Sequence, residues 1–161
     1  MKKILIFFAI YILCLPIFGK YTEKPLFSHL GVNDGLPHNT IVDFVQDNQG
    51  VIWIATKGGL AKFDSYDVKT YHHFSKNPQS LGSDFINSLY KDSQGRLWVC
   101  TDKGLSLYHF GTDHFKNFVY RHRAIYSVVE LDSIHLLVNA GHELVVFNTT
   151  DLKFRKLGIA K

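Results

Sequence analysis

Asp47-Asn48-Gln49-Gly50-Val51-Ile52-Trp53-Ile54-Ala55-Thr56-Lys57-Gly58-Gly59-Leu60 returns without a gap as Asp92-Ser93-Gln94-Gly95-Arg96-Leu97-Trp98-Val99-Cys100-Thr101-Asp102-Lys103-Gly104-Leu105. The offset is 45 residues at every position, and Asp, Gln, Gly, Trp, Thr, Gly and Leu coincide. Self-similarity at a fixed period of this size is the mark of a repeat architecture. Within one copy, Asp-x-x-Gly between apolar runs predicts a hairpin connection. Asp favours the start of a type I turn, and Gly takes the left-handed position that closes it. Val51, Trp53 and Ala55 then alternate with Ile52, Ile54 and Thr56, which predicts a strand buried on both faces. The following Gly-containing break restarts a strand at Leu60 and at Leu105, so each unit reads as an antiparallel meander.

Working outward, Leu36, Asn39, Ile41 and Asp47 match Leu81, Asp84, Ile86 and Asp92 at the same offset. Thr40 to Gln46 and Phe85 to Lys91 read as the first strand of each unit. Val68 to Phe74 and His114 to Val119 read as the fourth, with a one-residue slip between copies. Four short strands in about 45 residues is the content of one propeller blade. The pattern Asp-x-x-Gly-x-x-Trp-x-x-Thr-x-x-Gly-Leu resembles the two-component regulator propeller repeat. The opening Phe27-Ser28-His29-Leu30, with Asp34-Gly35-Leu36-Pro37-His38-Asn39, is similar to the start of such sensors. The resemblance covers residues 26 to 118. It implies the N-terminal periplasmic sensor region of a hybrid two-component receptor of the Bacteroidetes type, which helps recognise glycans or their breakdown products.

The 161 residues, 46% of them hydrophobic, suffice for one globular core. Thirteen Phe, eight Tyr and two Trp suit an all-β protein. Residues 1–19 are different material. Lys2 and Lys3 precede an apolar run from Ile4 to Phe18, and Gly19 offers a small residue before Lys20. These parts make a secretory signal peptide; the run is short for a span of about 20 residues, and an uncleaved anchor is the alternative. Cys14 follows Tyr11-Ile12-Leu13, which lacks the small residues that lipidation needs. Removal of residues 1–19 lowers the net charge from +4 to +2. That mild excess is scattered, which argues against a nucleic-acid partner. Arg121-His122-Arg123 is the one tight basic cluster and reads as a solvated loop.

Past Val119 the pattern decays. Ile125 to Glu130, Ile134 to Asn139, Glu143 to Asn148 and Lys153 to Leu157 still read as four strands. Leu136-Leu137-Val138 aligns with Leu97-Trp98-Val99 at an offset of 39, without the Trp or the Asp-x-x-Gly. The expected fold is therefore all-β, an incomplete β-propeller of about three four-stranded antiparallel blades after a signal peptide. Blade one covers about 39–74, blade two about 84–119 and a degenerate blade three about 124–157, all within 20–161. Phe27 to Leu30 is expected to be an outer strand that completes a distant blade. Three blades do not close a ring, since propellers use about four to eight. The chain thus reads as the N-terminal fragment of a longer receptor, attached to the inner membrane only through a downstream segment or an uncleaved leader.

Candidate chemistry is sparse. His72 and His73 are adjacent and point to opposite faces of a strand, while His109 and His114 are separated by a turn. No Cys or acid completes a tetrahedral set at recognisable spacing, so no metal and no cofactor is expected. Asp47, Asp92, Trp53 and Trp98 recur once per unit, which assigns them to the blade itself: turn bonding for the acids, blade-to-blade packing for the indoles. Cys100 stands where Ala55 stands and reads as a small buried residue. A sialidase-type hydrolase is the enzymatic rival. Its Asp box spaces Asp and Gly by one residue rather than two and has a Ser where Val45 and Tyr90 stand here. No catalytic acid pair or nucleophile is singled out. The expectation is a non-enzymatic, periplasmic, ligand-sensing segment with a glycan or oligosaccharide ligand. Its partners would be the remaining blades of a longer chain, or other copies of itself. A fragment of a secreted propeller enzyme acting on polysaccharide, or a secreted propeller that only binds, are the alternatives. No ligand-contacting residue is named by the sequence.

Overall fold

The computed structural model describes residues 29–157; the leader at residues 1–19 and Cys14 lie outside the described residues. Twelve strands follow a short 3₁₀ turn at Val32–Asp34. The first sheet holds β1 (Ile41–Gln46), β2 (Ile52–Thr56), β3 (Gly59–Phe63) and β4 (Val68–Tyr71). The second holds β5 (Ile86–Lys91), β6 (Leu97–Thr101), β7 (Gly104–His109) and β8 (His114–Phe118). The third holds β9 (Ser127–Asp132), β10 (His135–Asn139), β11 (Leu144–Asn148) and β12 (Lys153–Lys156). In each sheet the strands pair in chain order and antiparallel. The first strands β1, β5 and β9 lie side by side, so the sheets fan from a common inner edge as three consecutive, open propeller blades.

The local chemistry explains the regularity. Asp47 N donates to Val51 O at 2.9 Å and Gly50 N to Asp47 O at 3.3 Å; the second copy repeats both bonds through Asp92 and Gly95. Gly50 and Gly95 take φ of 85° and 76°, a left-handed value that glycine adopts without a Cβ penalty. A bulge falls at Ile41/Asp43 in β1 and at Ile86/Ser88 in β5, the same place in both copies.

The core lies between blades. Trp53, Ala55, Leu60 and Tyr71 of blade one pack against Leu81, Leu89, Leu97, Val99, Tyr108 and Phe115 of blade two. Trp98, Cys100, Leu105 and Phe118 of blade two pack against Leu136, Val138, Val145 and Phe147 of blade three. Each indole thus plugs the joint to the following blade, 4.5 Å from Tyr108 for Trp53 and 5.7 Å from Phe147 for Trp98. Burial of each such side chain contributes on the order of 2–3 kcal/mol.

Two local expectations change. β4 ends at Tyr71, not Phe74, because His73 N turns to Asp84 Oδ1 and Phe74 N to Ser80 Oγ instead of continuing the ladder. The slip between fourth strands is two residues, not one. Phe63 pairs with Val68, whereas its counterpart Tyr108 pairs with Phe115 across a longer loop. Of the segment Phe27 to Leu30, Phe27 and Ser28 lie outside the described residues; His29 and Leu30 are irregular, and Leu30 packs on the cluster of Leu36, Ile54 and Ala61.

Candidate functional site

The repeated carboxylates are buried and fully engaged. Asp47 Oδ1 accepts the N–H groups of Gln49 (2.8 Å) and Val51 (3.1 Å), and Oδ2 accepts the indole N–H of Trp53 (2.9 Å). Asp92 accepts the equivalent three, from Gln94 (3.0 Å), Arg96 (2.9 Å) and Trp98 (2.8 Å), and also the Arg96 Nε–H at 2.5 Å. One side chain therefore fixes the turn and aims the indole into the next joint. Three of the roughly four acceptor positions of the Asp47 carboxylate are thus taken up by its own hairpin.

A second cluster was invisible in the repeat. Asp113, at φ 58° in the loop between β7 and β8, accepts the hydroxyls of Tyr71 (2.6 Å) and Tyr108 (2.5 Å) and pairs with Lys69 Nζ. Lys69 and Tyr71 belong to blade one, so Asp113 bolts the two blades at their outer side. Burial alone would raise the Asp113 carboxyl, but the bonds from Lys69, Tyr108 and Tyr71 outweigh it and hold it at about 2. Burial, with the same carboxylate, pushes the Tyr108 phenol up to about 12 and Tyr71 higher still.

His72 Nδ1 lies 3.6 Å from Asp84 Oδ1, and His73 Nδ1 lies 2.9 Å from the Leu81 carbonyl. His109 and His114 face each other across the β7–β8 ladder. Among the described residues no group of three or more His, Cys, Asp or Glu is placed to hold a metal ion. Cys100 is fully buried, and that burial pushes its thiol up to about 12, away from the reactive thiolate.

One concave feature among the described residues sits over the β6–β7 end of blade two. It is a half-open cavity of about 320 Å³. Its walls come from three loops: the linker from β4 to β5 (His73, Phe74, Asn77), the β6–β7 turn (Asp102, Lys103) and the linker from β8 to β9 (Val119, His122). Ser106 and Asn117 line it from β7 and β8. Ser106 Oγ–H donates to Asn117 Oδ1 at 2.7 Å, while Asn117 Nδ2 donates to Ser80 O at 2.9 Å. Sequence reasoning placed no residue here. The signal available was the length of the two inter-blade linkers and the positively charged Arg121-His122-Arg123 in one of them.

Comparison with known proteins places this geometry in context. Residues 35–58 and 80–103 match the two component regulator propeller family model. A 48-residue stretch is 35% identical to histidine kinase P4 of Formosa agariphila, covering 30% of this chain and 4% of that protein. The extracellular domain of a hybrid two component system from B. thetaiotaomicron superposes with a TM-score of 0.72 at 25% identity, over 81% of this chain and 20% of that one. The extracellular domain of a one component system from the same organism gives 0.67 at 18% identity, covering 81% and 18%. Virginiamycin B lyase from Staphylococcus aureus gives 0.58 at 14% identity, covering 73% and 41%; these last two likenesses concern the fold alone. The chain spans a fifth or less of the signalling relatives it matches.

Proposed function

We propose that this chain, which carries two copies of the two component regulator propeller repeat on adjacent blades, is part of the exported, ligand-sensing propeller of a two-component signalling receptor. The observation that carries this reading is the coincidence of repeat and blade. Both matched stretches end in the β6-type strand and turn, and the blade arrangement is that of the extracellular domain of a hybrid two component system at a TM-score of 0.72. On this reading residues 1–19 direct export and the blades stand in the periplasm. The ligand is a glycan or a fragment of one. The outward faces of the first and third blades mate with further blades of a longer chain or with another copy.

An enzyme acting on polysaccharide is the rival reading. Asp47 already holds three donors and Asp92 four, which disfavours an acid–base role for them. The sensing reading is tested by deleting the gene in its source bacterium and profiling transcripts during growth on single purified polysaccharides. Loss of induction of a gene set by one carbon source is the expected result. Identical transcripts on every carbon source overturn it. Turnover of a polysaccharide by the purified chain, abolished by one carboxylate substitution, would instead favour the enzyme.

A further inference from the structure

We propose that His109 and His114, at the outer corner of blade two, form a two-imidazole site for a divalent transition-metal ion of the Cu²⁺, Ni²⁺ or Zn²⁺ class. The site lies outside the repeated residues and stands independently of the sensing reading.

Register brings the pair together. His109 ends β7, His114 begins β8, and the two are direct partners in the antiparallel ladder. Direct partners project from the same face of a sheet, with Cβ atoms about 4.5–5.5 Å apart. The next pair along, Tyr108 and Phe115, projects from the opposite face with ring centroids 5.3 Å apart. At such spacing one nitrogen from each imidazole reaches a common ion at about 2.0–2.1 Å. Both histidines are exposed. With Gln79, Thr112 and Lys116 they border an open hollow of about 640 Å³. Among the described residues no third His, Cys, Asp or Glu joins them, so water or an added ligand completes the coordination. Two neutral imidazoles select borderline metals over the oxygen-seeking Ca²⁺ and Mg²⁺.

The other two blades show what this position does when it serves the fold. The equivalent pair is Asp64 and Asp67 in blade one, one step beyond Phe63 and Val68. In blade three it is Asn148 and Lys153, one step beyond Phe147 and Phe154. Asp64 Oδ1 accepts the N–H groups of Tyr66 (3.0 Å) and Asp67 (2.9 Å). Asn148 Oδ1 accepts those of Thr150 (2.8 Å) and Asp151 (3.0 Å). In both, the first side chain of the pair holds the turn. In blade two the turn is held by backbone instead: the N–H groups of Thr112 (3.3 Å) and Asp113 (2.8 Å) donate to His109 O. The His109 side chain is thereby released from that duty, and a second imidazole stands opposite it.

The charged neighbours leave the pair accessible. Lys116 shares the face of His114, but its ammonium lies over the Phe118 ring, 5.9 Å from the centroid, towards the far end of β8. Asp113 precedes His114, and its carboxylate is engaged by Lys69, Tyr71 and Tyr108. The ion therefore spans the base of the loop that carries Asp113, the residue bolting blade one to blade two. An ion bound there and not in the unfolded chain stabilises that joint.

The test titrates the full chain with Cu²⁺, followed by calorimetry, electron paramagnetic resonance and thermal melts. Zn²⁺ is the second probe and Ca²⁺ the comparison. His109→Ala and His114→Ala each remove one ligand; His142→Ala, an exposed histidine in the β10–β11 connection, is the control. Because both ligands are exposed, the metal-free melts of all variants should match the native chain. We expect Cu²⁺ to bind with hyperfine structure from two imidazole nitrogens and to raise the melting temperature. Either ligand variant should weaken Cu²⁺ and Zn²⁺ binding about tenfold or more, and His142→Ala should leave it unchanged. Cu²⁺ affinity unaltered in both ligand variants, or a resonance spectrum with one coupled nitrogen in the native chain, overturns the site. Equal binding of Ca²⁺ overturns the metal class, and Cu²⁺ binding without a rise in melting temperature overturns the coupling to the joint.

Discussion

The indole Nε1–H of Trp53 donates to Asp47 Oδ2 at 2.9 Å, joining the residue that opens a hairpin turn to the one that fills the joint with the next blade. Trp98 and Asp92 make the same bond at 2.8 Å. Because Asp47 also holds two backbone N–H groups, its removal leaves three donors short of a partner, one of them fully buried. Asp47→Ala should destabilise the chain by about 3 kcal/mol and Trp53→Phe by about 2 kcal/mol. In a double-mutant cycle by urea unfolding the two should couple by about 1 kcal/mol or more. Simple additivity would mean that the bond does not organise the blade.

Asp113 gives the blade-one/blade-two joint a pH dependence of definite sign. Its folded carboxyl titrates at about 2, below its ordinary value near 3.8. A depressed pKa stabilises the fold fully above the unfolded value, and the benefit is lost as pH falls from about 4 towards 2. The side chain is 41% exposed, so solvent screening limits the contribution to roughly 1 kcal/mol or less. Urea midpoints of the native chain and Asp113→Asn should therefore differ above pH 4 and converge near pH 2. A gap that stays constant from pH 6 to pH 2 would show that the carboxylate charge is not what bolts the blades.

Two glycines separate backbone strain from collision. Gly141 has φ 79° with open space around its absent Cβ. Gly104 has φ 149°, and a Cβ there would lie 2.4 Å from the Phe118 carbonyl oxygen. Gly141→Ala should cost about 1 kcal/mol, whereas Gly104→Ala should cost about 3 kcal/mol or more because β8 must move away. Thermal melts on the two variants should rank in that order, and equal shifts would refute the close approach.

The third blade presents half-exposed apolar side chains on its outward face, among them Val129 (48%) and Leu144 (51%). An exposed apolar sheet face favours association. The purified chain should sediment as a concentration-dependent mixture, and Val129→Lys with Leu144→Lys should shift it towards monomer. Unchanged sedimentation in the double variant would place the association elsewhere.

How far the sequence was readable follows from which residues carry each feature. The blade was legible because Asp47, Gly50, Trp53, Thr56 and Gly59 act within one short segment, and each side chain reaches a partner a few residues away. The third blade was legible only through aliphatic alternation, since Leu137 replaces the indole and Asp132 bonds His135 instead. The two-residue slip was misread because the β3–β4 and β7–β8 connections differ in length, and apolar pattern does not count loop residues. Asp113 was unreadable for a related reason: its partners Lys69 and Tyr71 lie more than forty residues upstream, on another blade. The cavity was unreadable because three loops build it, and none of them carries a motif.

Every strand pairs with its immediate neighbour in the chain, and this sets an order of events during synthesis. Loop closure is short in each blade, so its ladder can form as soon as its four strands have left the ribosome. The core cannot follow at once. Trp53 is emitted with blade one, but the side chains that cover it, from Leu81 to Phe115, arrive a whole blade later. The nascent chain therefore exposes one unshielded indole face at its growing end, handed forward from Trp53 to Trp98. That travelling face is where a chaperone would bind and where a stalled ribosome would leave the product prone to aggregate.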